Sequence, residues 1–141
     1  MKTEIRFDRL KKLANHLIKG KLDHEKFDFY IYNNSHNNKY KRNGCGTVGC
    51  AIGECPIVFP KYWCFSRNMK NPKLKTLGYY GYSVSQSSGL EFFNLVIDEY
   101  SHLFMPNHQY KKYGGRKLSE NATSKMVGNN ILAFIKKINS N

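Results

Sequence analysis

Gly44-Cys45-Gly46-Thr47-Val48-Gly49-Cys50-Ala51-Ile52-Gly53-Glu54-Cys55-Pro56 is the only run in the chain that is small, nearly uncharged and dense in both cysteine and glycine. A polar, basic segment (residues 33–43) precedes it, and the aromatics Phe59, Tyr62, Trp63 and Phe65 follow. Thr47 suits an N-cap, where its hydroxyl accepts from a backbone N–H two or three residues on. Val48, Ala51 and Ile52 recur at helical spacing, and Pro56 stops a helix begun there. The pattern predicts a two-turn helix, too short to be stable alone and therefore held by packing. Its small residues let other elements come close. Working outward, the expected fold is one mostly helical α+β domain over residues 1–141, with amphipathic helices around this central buried element and a small sheet.

Two sharper chemistries are considered for this stretch. Gly44, Gly46 and Gly49 fit the G-x-G-x-x-G dinucleotide fingerprint, which needs a hydrophobic strand before it, a full helix after it and an acidic residue about twenty positions on. Here Lys39-Tyr40-Lys41-Arg42-Asn43 precedes, Pro56 cuts the helix, and Lys70 and Lys73 stand where the carboxylate belongs. The second chemistry is metal. Cys45, Cys50 and Cys55 are five apart, with Cys64 beyond, whereas structural zinc sites pair ligands two to four residues apart. Helical steps of five turn each thiol by roughly 140° from the last. Four buried, reduced cysteines and no metal are expected.

Cys45-Gly46-Thr47, then Cys50, then Gly53, resembles the Cys-Gly-Thr-x-x-Cys-x-x-Gly core of a group of small phage and bacterial-genome proteins with no established function. In that group an amphipathic helix and an aromatic-Asp step precede the core, and a Leu-Phe helix end and a capped final helix follow. Residues 10–18, Phe27-Asp28, Leu103-Phe104 and the segment from Ser119 are the counterparts here. The insert at 33–43 and the basic Gly-Gly loop depart from the pattern. The resemblance implies a phage-type origin and no activity.

Charge narrows the function classes. Lys and Arg number 23 against 10 acidic residues, a net charge of +13 with a pI near 9.7. Such a chain attracts polyanions. Its 10 Tyr and 9 Phe, set among cations, suit stacking on bases beside contacts to phosphate. The competing account is a lysine-rich coding habit. A mean hydropathy of −0.61, no apolar run of bilayer length and no signal-peptide pattern predict a cytoplasmic protein with no membrane partner, in the host cytoplasm if phage-encoded.

Along the chain, Thr3 caps a first helix to about Lys19, with Gly20 as its stop. Phe7, Leu10, Leu13, Ala14, Leu17 and Ile18 form its apolar face. Lys2, Arg6, Arg9, Lys12, His16 and Lys19 form a basic one, read as solvated surface or part of an anion-binding wall. Residues 23–32 read as one strand, 57–65 as a short strand or packed irregular segment, 66–75 as a polar connection and 77–84 as a second strand. Ser88-Gly89-Leu90-Glu91 reads as a capping box opening a helix with the stripe Phe93, Val96, Ile97, Tyr100, Leu103 and Phe104, ended by Pro106. Ser119 is expected to cap a last helix carrying Val127, Ile131, Phe134, Ile135 and Ile138.

The predicted binding site is Lys112, Tyr113, Gly114, Gly115, Arg116, Lys117 and Ser119, joined by Tyr80 and Tyr82. Glycines free backbone N–H groups, Arg116 and Lys117 supply charge, and a helix N-terminus adds a partial positive charge, a combination suited to phosphate. No Walker A motif, metal-binding His pair or Gly-x-Ser-x-Gly elbow occurs. Cys50 with His102 or His108 is the one conceivable nucleophile and base, and Cys50 is expected to be buried. No catalytic residues and no cofactor are expected. The function expected is non-enzymatic binding of an anionic, nucleotide-like ligand, in its most concrete form the sequestration of a host defence signalling nucleotide. The alternatives are a DNA- or RNA-binding protein and a protein-interaction inhibitor of a host factor.

Overall fold

The computed structural model describes residues 4–20, 22, 26–27, 48–49, 51–66, 71–78, 83–119 and 121–140. The fold is α+β and mostly helical. Helix α1 (Phe7–Lys19) buries Leu10, Leu13, Ala14 and Leu17 on one face, as the 3.6-residue period dictates, and ends at Gly20 in the left-handed region. It packs along the last helix, α5 (Ser124–Asn139), which buries Val127, Gly128, Asn130, Ile131 and Phe134. Gly128 lets the two backbones meet: a Cβ there would lie 2.7 Å from the Ala14 carbonyl oxygen and 2.8 Å from Ile18.

The described part of the central stretch is not the single helix its spacing predicts. Val48–Gly49 (β2) is extended and pairs in parallel with Lys26–Phe27 (β1). A 3₁₀ turn at Ile52–Glu54 then leads into α2 (Cys55–Val58). Pro56 lies in the first turn of α2, where a missing N–H costs nothing, so it begins a helix rather than ending one. Residues 51–56 are all buried. Thr47, the expected cap, lies outside the described residues, as do Cys45 and Cys50. Cys55 is buried with its Sγ 3.9 Å from the Ala51 carbonyl, and Cys64 is a half-buried free thiol.

Beyond α2, β3 (Trp63–Phe65) pairs antiparallel with β4 (Pro72–Leu74), Trp63 opposite Leu74 and Phe65 opposite Pro72. The expected polar connection at 66–75 therefore contains a strand. The reason lies in α3 (Ser83–Phe93): Ser85 Oγ donates to the Pro72 carbonyl at 2.7 Å, and Ser88 Oγ accepts from the Leu74 N–H at 2.9 Å. Two helix hydroxyls thus satisfy a buried strand edge. Ser88 sits inside α3 and caps nothing, and Val84 is helical rather than extended.

The long helix expected over 88–104 is two helices. After Phe93 the chain turns through Asn94 (φ 59°), with Asn94 N–H on the Glu91 carbonyl and Leu95 N–H on the Leu90 carbonyl at 2.9 Å. Those two bonds are a Schellman ending with Asn in the left-handed position. Helix α4 (Ile97–Phe104) restarts beyond it, its Glu99 carboxylate accepting from the Val96 N–H at 2.9 Å. Val96 and Ile97 are consequently exposed instead of continuing the apolar stripe. Phe59, Trp63, Phe92, Phe93 and Phe104 fill the space between helices, with Phe92 edge-on to Phe59 at 4.8 Å and to Trp63 at 5.6 Å. Edge-to-face pairs of this kind add stability beyond the area they bury.

Candidate functional site

Residues 105–123 connect α4 to α5 and carry the predicted cationic loop. They are held from beneath by the side chains of buried His102 and half-buried Gln109. His102, fully buried on α4, accepts the Tyr110 N–H on Nδ1 at 2.8 Å. Gln109 donates to the His102 and Met105 carbonyls and accepts from the Leu118 N–H at 2.7 Å. Asn107 N–H meets the Leu118 carbonyl at 2.7 Å, and Leu118 itself is buried. Leu118 is thus a hydrophobic peg in the middle of a charged loop.

Between these anchors, Lys111–Tyr113 form a 3₁₀ turn, and Gly114 and Gly115 both take positive φ (78° and 79°). Gly115 rests directly on Asn130 of α5, where a side chain would collide with the amide, and Arg116 N–H donates to Asn130 Oδ1 at 2.9 Å. Both features call for glycine at 115. The bend and α5 enclose an open cleft of about 330 Å³ lined by Gly115, Arg116, Met126, Asn129, Asn130 and Ala133. Asn130 is buried, and its Nδ2 has no hydrogen-bond partner among the described residues. An unmet buried amide donor costs about 1–3 kcal/mol.

His102 sets the local electrostatics. Tyr113 lies edge-on to its ring at 5.3 Å, and Phe134 at 6.0 Å and Tyr110 at 6.3 Å also flank it. Burial among these rings lowers its pKa to about 4, and the Gly114 backbone pulls weakly the other way without making a full bond to Nε2. His102 is therefore neutral near pH 7, which leaves Nδ1 free to accept from Tyr110.

The predicted residues divide into two sets. Gly115 and Arg116 line the cleft; Lys117 and Ser119 are exposed beside it. Tyr113 is half-buried, packed on His102 and Phe134 (5.6 Å), with Lys112 Nζ 5.0 Å from its ring, so it is part of the loop's foundation. Ser119 does not cap α5. Thr123 does, accepting from the Met126 N–H at 3.2 Å, because four more residues, including buried Ala122, intervene before the helix starts. The cleft accordingly faces the flank of α5 rather than its N-terminus. Tyr80 and Tyr82 lie outside the described residues.

Sequence reasoning missed Asn129 and Asn130. The signal was present: Asn130 interrupts the Val127, Ile131, Phe134 stripe on the buried face, where an amide needs a partner. Among the described residues no group of three or more His, Cys, Asp or Glu side chains could hold a metal ion, and no helix is long and apolar enough to cross a membrane. No family model, curated protein or solved structure matches this chain.

Proposed function

We propose that this protein is a non-enzymatic binder of a small anionic, nucleotide-like ligand, which docks in the cleft between the Gly114-Gly115 bend and α5. One observation carries the reading. A pinned, glycine-built bend sets Arg116 at the rim of a cleft whose lining includes Asn130, a buried amide with an unused donor. A volume of about 330 Å³ falls at the small end of ligand pockets, which suits a mononucleotide-sized guest better than a polymer. Arg116 and Lys117 would meet phosphate, and the Asn129 and Asn130 amides would meet a base or sugar edge. The biological form we favour is sequestration of a host defence signalling nucleotide, which takes its motive from the phage-type resemblance of the Cys45–Gly53 core.

The test is a thermal-shift screen of mononucleotides and cyclic dinucleotides, since a ligand bound only to the native state at 100 times its Kd adds about 2.7 kcal/mol. Arg116→Ala with Lys117→Ala should leave the Tm of the free protein nearly unchanged, because exposed charges contribute little. The same pair should weaken the ligand tenfold or more, since charge-assisted bonds are worth about 1.5–3 kcal/mol. Unchanged affinity in that variant would sink the assignment. The +13 charge favours one second reading, nucleic-acid binding, which would appear instead as affinity falling steeply with salt and insensitive to which lysine pair is removed.

A further inference from the structure

Away from the α5 cleft lining, Glu54 is a carboxylate with no exposed surface, in the 3₁₀ turn of the central stretch. Burying a carboxylate is costly unless it is paired. Its Oε1 lies 2.7 Å from Nε2 of His16 on α1, whose side chain is 22% exposed. The contact commits Nε2 of the imidazole to Glu54. His16 lines an open groove of about 370 Å³ together with Lys12, Asn15, Lys19 and Val58. Lys12 and Lys19 have no acidic partner among the described residues. At a rise of about 1.5 Å per residue, Lys12 and Lys19 stand roughly 10 Å apart along the helix with His16 between them.

We propose that this groove is an anion site, independent of the α5 cleft, that takes a phosphate group. Lys12 and Lys19 grip it from either side and His16 donates from Nδ1. Lysine ammoniums are compact point charges suited to phosphate oxygens from several directions. The imidazole can donate from both nitrogens only as a cation, and buried Glu54 balances that charge from behind. Among the described residues, Glu54 of the 3₁₀ turn contacts His16, and Lys12, Asn15 and Lys19 from its own helix and apolar Val58 from α2 line the groove with it. Glu54 is a positioning residue here, and His16 and the two lysines make the contacts. This assigns the basic face of α1 a specific ligand chemistry.

Titration of the whole protein with inorganic phosphate, followed by the NMR signals of the His16 ring, tests the site. The parent should give a saturable shift. Lys12→Ala with Lys19→Ala should weaken it at least about tenfold with little change in Tm, since both are exposed. Arg116→Ala with Lys117→Ala should not change it, which separates this site from the α5 cleft. Sulfate, a second tetrahedral oxyanion, should bind at the same site when followed by calorimetry. His16→Gln, which keeps a donor to Glu54, should weaken that calorimetric binding. A parent without a saturable shift, or a lysine variant that titrates like the parent, overturns the site. A His16→Gln protein that binds sulfate as tightly as the parent removes His16 and Glu54 from it. A nucleoside monophosphate and a single-stranded oligonucleotide then separate the two sources of such a group: equal strength to inorganic phosphate marks a small ligand, and tighter, salt-steep binding marks a strand.

Discussion

His102 couples acidity to the shape of the cationic loop. Its pKa near 4 lies below the 6.5 of a free histidine, so between those values the unfolded chain binds the extra proton and the folded chain resists it. Stability contributed by neutral His102 is therefore complete above about pH 6.5 and is lost as pH falls toward 4, by roughly 3 kcal/mol at most. Chemical denaturation at pH 7 and pH 4.5 should show this drop, and His102→Gln should make it smaller. Once protonated, near pH 4 in the folded chain, Nδ1 can no longer accept from Tyr110, so local exchange protection of the Tyr110 amide should fall as pH drops through that value. Gly115 is the second sensitive residue. Gly115→Ala meets both a positive φ and the Asn130 amide, and should cost about 1–3 kcal/mol or displace the bend from α5. A Gly115→Ala protein with parental Tm and an unchanged Arg116 amide signal would contradict the packing described.

At the scale of elements, α1 was legible because its stripe, its basic face and its Gly20 stop all agree, and α5 was legible for its stripe though not its cap. The fused 88–104 helix was misread because Val96, Ile97 and Tyr100 continue the helical period across a break. Only the left-handed Asn94 marks that break, and periodicity does not see it. Pro56 was read with the wrong polarity, since proline ends one helix and begins another with equal ease. Of the site, the glycine bend and Arg116 were visible in sequence, whereas the cleft wall was not, because Asn129 and Asn130 lie far along the chain and meet the loop only through tertiary packing. Substitutions at Asn94, Gly128 and Gly53 test these elements by thermal melts. Asn94→Ala should cost about 1–2 kcal/mol, and Asn94→Gly much less, because glycine accepts the left-handed region. Gly128→Ala should cost about 1–3 kcal/mol by forcing α1 from α5, and Gly53→Leu should do comparable damage in the buried central turn.

For the molecule as a whole, two grooves with cationic linings stand apart among the described residues, one beside Arg116 on the flank of α5 and one along Lys12 and Lys19 of α1. Small anions should therefore bind at each with a shallow dependence on ionic strength, while a long strand spanning both would release many counterions and show a steep one. Measuring log affinity against log salt for a mononucleotide and for a single-stranded oligonucleotide distinguishes the two behaviours.

The close seam of α1 on α5 at Gly128 also bears on how the chain reaches its fold. α5 is synthesised after every other described element, yet it supplies the wall against which the first described helix buries its leucines. A ribosome-bound chain lacking α5 would hold Leu10, Leu13 and Leu17 without that cover, so structure acquired during synthesis should stay provisional until the last helix emerges. Closing so distant a contact is slow relative to local helix formation. Arrested nascent chains should accordingly remain protease-sensitive until residues 124–139 have cleared the exit tunnel, and then become resistant in one step.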